Sequence, residues 1–308
     1  LGGIIYAERI KGKIKNNIFY NNSGDQILTT GGDEFRDTIE VVNNTFYKNN
    51  TKTAYFINWW GGFENSMFAT YWHNNIIDNN FDKSTRNTNS EFAWGDGGNN
   101  GKPANFFFKN NLLAQEISTN KGPSNFSTTF TFNYDTASHM IGTAKFKDTA
   151  NLDFSLLSTS IGIGAGSNSL ALSKDFNGVT RPAPVGSGID LGAIESDMAM
   201  PYPVISSVQE AIISGNKAVK LTFSIPSNPK IDSVVIYRST ASRDTAIITS
   251  SAGTYSTTNR KDTVKLSSNT FIDASTISNT TKYYYTIKAF SKTYNTYSKP
   301  SLADSITI

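Results

Sequence analysis

The sequence predicts an all-β chain in two parts: a solenoid of short stacked strands over 1–198, then a β-sandwich over 203–308. Two observations predict the parts. One phrase recurs four times, as Ile14-Lys-Asn-Asn-Ile-Phe19, Val41-Val-Asn-Asn-Thr-Phe46, Trp72-His-Asn-Asn-Ile-Ile77 and Phe108-Lys-Asn-Asn-Leu-Leu113. The last third instead alternates apolar and polar residues in runs at sandwich spacing. A third observation places the boundary. Residues 1–200 carry sixteen basic against nineteen acidic residues, and the remainder carries twelve against six.

The second Asn of each phrase (Asn17, Asn44, Asn75, Asn111) recurs at intervals of 27, 31 and 36 residues, a period range typical of stacked coils. The phrase keeps its length while the connections vary. Three positions before that Asn stand Ile14, Val41, Trp72 and Phe108; two after it stand Phe19, Phe46, Ile77 and Leu113. A strand too short to bury its own apolar face does so when the next coil lays an equivalent strand beside it, about 4.8 Å away. The Asn pair belongs at the bend, where Asn tolerates left-handed backbone angles and a column of amides can bond from coil to coil.

Composition excludes several classes of function. The chain has no cysteine, so thiol catalysis, thiolate metal sites and disulfides are absent. A net charge of +3 without a dense Lys/Arg tract does not suggest nucleic acid; a polyanionic glycan stays open. No run reaches the roughly 18–20 apolar residues of a membrane span. The opening stretch already alternates in Tyr6-Ala-Glu-Arg-Ile-Lys-Gly-Lys-Ile, so preceding coils are expected as neighbours, with another surface protein as the alternative partner.

In the first coil Arg9, Lys11, Lys13 and Lys15 share one face by period two. Column alignment sets Arg9 beside Arg36 and Lys13 beside Glu40, so Arg9 and Arg36 are either an anion site or part of a solvated strip that discourages edge pairing. The connecting segments 29–36, 58–64 and 91–98 each combine a Gly pair with acids and aromatics. Stacking would bring Asp33, Glu34, Arg36, Trp59, Trp60, Glu64, Glu91, Trp94 and Asp96 to one ridge. Trp faces pack on sugar C–H faces and carboxylates accept sugar hydroxyls, so this is sugar-binding chemistry; the alternative is that the Trp residues cap the core.

The stretch Phe146-Lys-Asp, Leu152-Asp-Phe-Ser-Leu156, Ser160-Ile-Gly-Ile-Gly164, Asp175-Phe-Asn-Gly178, Arg181-Pro182 and Asp190-Leu-Gly-Ala-Ile-Glu195 resembles the closing segment of secreted right-handed parallel β-helix proteins of the pectate-lyase-like superfamily. That resemblance, with the Asn phrases, implies a right-handed parallel β-helix through about residue 196. It implies little about function, because the scaffold carries lyases, hydrolases and non-enzymatic surface proteins. Beyond 203, strands are expected at 219–225, 233–238, 282–290 and 301–308. Phe271-Ile-Asp273, then Tyr283, Tyr285, Ile287 and Ala289, then Tyr297-Ser-Lys-Pro300 resemble a fibronectin type III module, with Tyr283 as its tyrosine corner and Phe223 where that family often has Trp. Residues 199–203 read as a short stiff linker.

Six triplets resemble the Asp-Ser/Thr-aliphatic acceptor of a bacterial periplasmic O-glycosylation system, at Thr38, Thr136, Thr149, Thr245, Thr263 and Ser305. Turn chemistry explains such triplets equally well. A lyase would need a base and a cation, for which Arg9, Lys11 and Arg36 are available; a glycosidase would need a carboxyl pair, for which Glu64 with Asp33 or Glu34 are available. Residues 96–101 mimic part of a calcium loop but lack its final Glu, so no metal or other cofactor is expected, Ca²⁺ being the one ion considered. His73 is read as a surface residue. The expected function is polysaccharide binding by an exported, extracellular or cell-surface protein, with a polysaccharide lyase or hydrolase, or an adhesive assembly component, as alternatives.

Overall fold

In the computed structural model the described residues are 3–8, 11–24, 26–31, 37–51, 57–60, 68–80, 94–96, 104–114, 131–134, 138–228, 230–240, 260–265, 269–275, 277–293, 296–298, 300–301 and 304–308. They are all-β apart from short 3₁₀ turns. The chain divides into two compact units, Leu1–Ala183 with Ile189–Asp197, and Pro184–Gly188 with Met198–Ile308.

The first unit is built from three parallel sheets visited in turn. The first sheet holds Gly3–Glu8, Gln26–Gly31, Ile57–Trp60 and Trp94–Asp96. The second holds Lys11–Lys15, Asp37–Val42, Phe68–His73, Ala104–Lys109 and Thr131–Tyr134; the third holds Ile18–Tyr20, Thr45–Tyr47, Ile76–Asp78, Leu112–Leu113 and Met140–Ile141. Register follows the phrase. Ile14 pairs with Val41, Val41 with Trp72, and Trp72 with Phe108, while Phe19 pairs with Phe46, Phe46 with Ile77 and Ile77 with Leu113. Like therefore stacks on like. Phe19 and Phe46 lie 4.7 Å apart at 5°, and Trp72 and Phe108 5.9 Å apart at 12°. Val41, Phe46, Trp72, Ile77, Phe108 and Leu113 are wholly buried, each contributing roughly 1.5–3 kcal/mol.

The two Asn of each phrase do different work. The first (Asn16, Asn43, Asn74, Asn110) takes the left-handed conformation at φ of 53–58° and turns the chain from the second sheet into the third. The second forms a ladder in which Oδ1 of Asn44, Asn75 and Asn111 accepts both the backbone N–H and the Nδ2 of the matching Asn in the preceding phrase, at 2.9–3.1 Å. The Nδ2 groups of Asn44, Asn75 and Asn111 also donate to a carbonyl of the preceding phrase, as Asn75 does to Val41. The ladder ends at His139, whose Nδ1 accepts from the Asn111 N–H and whose Nε2 lies 3.1 Å from the Phe108 carbonyl, an arrangement that requires the neutral Nε2–H tautomer. A parallel ladder of Asn22, Asn49 and Asn80 lies beyond the third sheet, next to left-handed Asn21, Lys48 and Asn79.

Residues 167–174 lie across the bends as a strap held by the first Asn of three phrases. Ser167 N–H donates to Asn74 Oδ1 and its carbonyl accepts from Asn74 Nδ2; Leu172 N–H donates to Asn43 Oδ1; Asn16 Nδ2 donates to the Lys174 carbonyl. Gly192, at φ +89°, returns the chain so close to the stack that a Cβ there would meet Ile76 Cδ1 and Thr45 Oγ1 at 2.7 Å.

The second unit packs a three-stranded sheet (Val204–Ile213, Asn216–Ser224, Thr270–Asp273) and a sheet of Arg260–Lys265, Ser233–Ser239, Lys282–Ser291 and Thr296–Tyr297, with Asp304–Thr307 also paired to Lys282–Ser291. All pairings are antiparallel. The core is Val219, Leu221, Phe223, Val234, Ile236, Tyr283, Tyr285 and Ile287. Ser214 and Gly215, both at positive φ, close the first hairpin, whose leading strand the sequence reading passed over. Tyr283 Oη accepts from Ser278 N–H at 2.8 Å, and Tyr285 donates to Asp273, which Arg238 also reaches at 2.9 Å. The expected linker is corrected: Ala199, Met200, Pro201 and Pro203 are buried, and Met200 packs with Ile231 and Ala289.

Candidate functional site

Trp59, Trp60, Trp94 and Asp96, expected in connecting segments, belong instead to strands of the first sheet. Register sets Trp59 between Thr30 and Asp96, Trp60 beside Gly31, and Trp94 beside Ile57. Segments thirty or more residues apart thus deliver three Trp and one Asp to adjacent strands of one sheet. Arg9, Asp33, Glu34, Arg36, Glu64 and Glu91 lie outside the described residues, as do Thr136 and Thr245. Lys11 is exposed but stands in the second sheet, so it is not brought to the same sheet as the Trp residues.

The remaining candidate triplets occupy three settings. Thr38 is half-buried within the second sheet, paired with Lys11 and Ala69. Thr149 opens a 3₁₀ turn whose cap, Asp148, accepts from the backbone and the side chain of Asn151; those bonds hold the Asp148 carboxyl below its usual pKa. Thr263 lies in strand Arg260–Lys265, and Ser305 is half-buried in Asp304–Thr307.

Among the described residues a dense group of charges lies within 175–195, and it is closed to solvent. Arg181 Nη1 donates to Glu195 at 2.9 Å and to the Asp190 carbonyl, and Nη2 donates to the carbonyls of Gly192 and Ala193. Glu195 also accepts from the N–H groups of Ala183 and Asp190. Asp190 accepts from Gly164 N–H and Ser196; Asp175 accepts from the N–H groups of Asn177, Val179 and Glu195. The side chains of Arg181 and Glu195 have no exposure at all. Burial and the Asp190 charge push Glu195 up to about 7, and burial pushes Asp190 up as well. With its oxygens engaged and no access, this network holds the fold together rather than performing chemistry.

A further surface lies on the second sheet. The sequence reading sets the lysines of the first coil on one face and Lys13 beside Glu40, as found, but does not join Tyr71, Phe107 and Lys109 to them. Counting six, four and two positions back from each anchor Asn gives three rows in register: Lys11, Thr38, Ala69; Lys13, Glu40, Tyr71, Phe107; and Lys15, Val42, His73, Lys109. Lys11, Lys13, Lys15 and Lys109 are exposed, and Lys13 pairs with Glu40 at 2.7 Å. Half-buried Tyr71 and Phe107 stack at 4.6 Å and 4°. His73, expected at the surface, stands on this outer face but is half-buried; its Nδ1 has no partner, and burial followed by Lys109 lowers its pKa. Among the described residues no group of three His, Cys, Asp or Glu could hold a metal ion, and no helix is long and apolar enough to cross a membrane.

No protein-family description matches the chain, and no curated protein does. Part of the chain is similar to fibronectin type III-like proteins of known structure. One is a Fn3-like protein from Clostridium thermocellum, at 22% identity over 35% of this chain and 91% of that one, with a TM-score of 0.23. Another is the FN1–FN3 portion of chicken CNTN1, at 14% identity over 33% and 31%, TM-score 0.24. A β-1,2-glucanase from Parabacteroides distasonis matches at 18% identity over 38% and 14%, TM-score 0.22.

Proposed function

We propose that this chain is an exported, cell-surface or extracellular protein whose residues 1–198 form a right-handed parallel β-helix and whose residues 203–308 form a fibronectin type III-like spacer. In this reading polysaccharide binds along the first sheet and the segments that leave it. The observation that carries the proposal is the convergence of Trp59, Trp60, Trp94 and Asp96 onto adjacent parallel strands. Aromatic and carboxylate residue types on neighbouring strands are those that suit sugar rings, whose C–H faces stack and whose hydroxyls donate. Affinity electrophoresis through gels of neutral polysaccharides tests it. Retardation by one gel is expected, with Trp59→Ala or Trp94→Ala weakening it roughly 3–10-fold; free migration of the unaltered chain through every gel would overturn it, and clearing of a gel would turn the reading to an enzyme.

A second reading, assembly with a further coil or another surface protein, is favoured by one observation. Lys11–Lys15 and Ile18–Tyr20 are edge strands among the described residues, and Ile14, Ile18 and Phe19 are only half-buried where their counterparts in the next coils are buried. Concentration-dependent sedimentation that Ile14→Lys suppresses would support this second reading.

A further inference from the structure

We infer that the outer face of the second sheet, made by Lys11, Lys13, Lys15, Lys109 and the Tyr71–Phe107 stack, docks this protein on an anionic lipid surface. The inference goes beyond the polysaccharide reading, uses a different sheet, and stands or falls separately.

Charge complementarity points to the partner. Four exposed ammonium groups share the face with one carboxylate, Glu40, already paired with Lys13. The register neighbours Ala69, Asn105, Thr131 and Asn133 bring no charge. His73 adds none at neutral pH, since burial and Lys109 disfavour its cation more than Glu40 favours it. The first unit is acidic in sum over 1–200, so this concentration of one sign is local rather than a reflection of composition.

The shape and the side-chain types select among anions. A single phosphate or carboxylate is held by forked guanidinium groups or in a concave pocket, and this face offers lysines spread over a sheet. Lysine ammonium groups act as point charges, and each near a negatively charged membrane adds attraction that salt screens within a Debye length. The stacked Tyr71 and Phe107 add a rigid amphipathic ledge, half out of water, of the kind that sits at headgroup level. Successive strands about 4.8 Å apart spread these groups over a surface matching several lipid headgroups rather than one ligand.

Co-sedimentation of the full chain with vesicles of phosphatidylglycerol and phosphatidylcholine (30:70) tests the inference, against pure phosphatidylcholine. Binding to the anionic vesicles at 50 mM salt, falling at least tenfold at 300 mM, is expected. The triple variant K11E/K15E/K109E should lower partitioning at least a hundredfold, and Tyr71→Ser with Phe107→Ser several-fold, with far-UV circular dichroism unchanged. The His73 ring resonances should report a raised pKa when vesicles are present, because anionic headgroups offset Lys109. Trp59→Ala should bind vesicles as the unaltered chain does, which separates this face from the polysaccharide site. Equal binding to uncharged vesicles, no binding at 50 mM salt, an unaffected triple variant, or displacement from vesicles by inorganic phosphate at low millimolar concentration would each overturn it.

Discussion

Lys288 shows how one side chain sets a pH response. It stands in strand Lys282–Ser291 with no solvent exposure, and burial pushes its pKa down to about 7. Between pH 7 and its ordinary value of 10.5 the unfolded chain binds a proton that the folded chain does not. Stability therefore rises with pH across that window, by up to about 1.4 kcal/mol per pH unit, and the full cost is present below pH 7. All four Trp precede residue 200, so amide hydrogen exchange of the second unit is the measurement. Protection should increase from pH 7 to 10 after correction for intrinsic exchange, and Lys288→Met should raise protection at pH 7 and flatten the dependence. Sequence gave no warning here. In Lys282-Tyr-Tyr-Tyr-Thr-Ile-Lys-Ala-Phe290 the alternation is legible, but both faces of this central strand are covered, so a lysine that alternation would send to solvent is buried. His139 was equally opaque: nothing in its local sequence says that an imidazole stands in for an Asn amide.

At the scale of the element, the bend between the second and third sheets is specified by two adjacent amides with separate duties. Asn75, wholly buried, accepts two bonds from Asn44 and donates to Val41 and Asn111. Asn75→Ala would strand a buried N–H and a buried carbonyl, at roughly 1–3 kcal/mol each. Asn17 is exposed at the edge, so Asn17→Ala should cost under about 1 kcal/mol. Urea unfolding followed by Trp fluorescence, with Trp72 buried three residues from Asn75, resolves a difference of this size. The first ladder was legible because its flanking apolar columns repeat with it. The second was not, because Lys48 interrupts the doubled Asn and the next column, Tyr20, Tyr47 and Asp78, mixes apolar with acidic residues. The lysine and aromatic face was legible only in part: the first-coil lysines and the Lys13–Glu40 neighbours follow from column alignment, while Tyr71, Phe107 and Lys109 were not joined to them because the columns hold Lys, Glu, Tyr and Phe, alike in position and unlike in chemistry.

For the first unit as a whole, the closing segment matters most. Its Asp, Arg and Glu residues were legible as a motif; their purpose was not, since residues 175, 181, 190 and 195 meet only when folded. Arg181 satisfies three carbonyls and one carboxylate in a site without water access. Arg181→Met would leave Glu195 and Asp190 buried without a cation, costing about 3–5 kcal/mol by the same urea titration. Arg181→Lys should not rescue it, because one ammonium cannot reproduce the planar fork. The Trp-bearing segments stood out by composition but were read as connections, and their place in a sheet was hidden by the Gly pairs that read as turns.

The strap over residues 167–174 fixes the spacing of three Asn bends of the first unit. An amide ladder is indifferent to how many rungs it has: remove one coil whole and the rungs on either side could meet. The strap is not indifferent, because its fixed length touches Asn74, then Asn43, then Asn16. It works as a ruler laid along three bends, so loss of one of these three phrases would leave one of its marks unread. Length can vary freely between the bends; across the first three of them, the spacing is written into the strap.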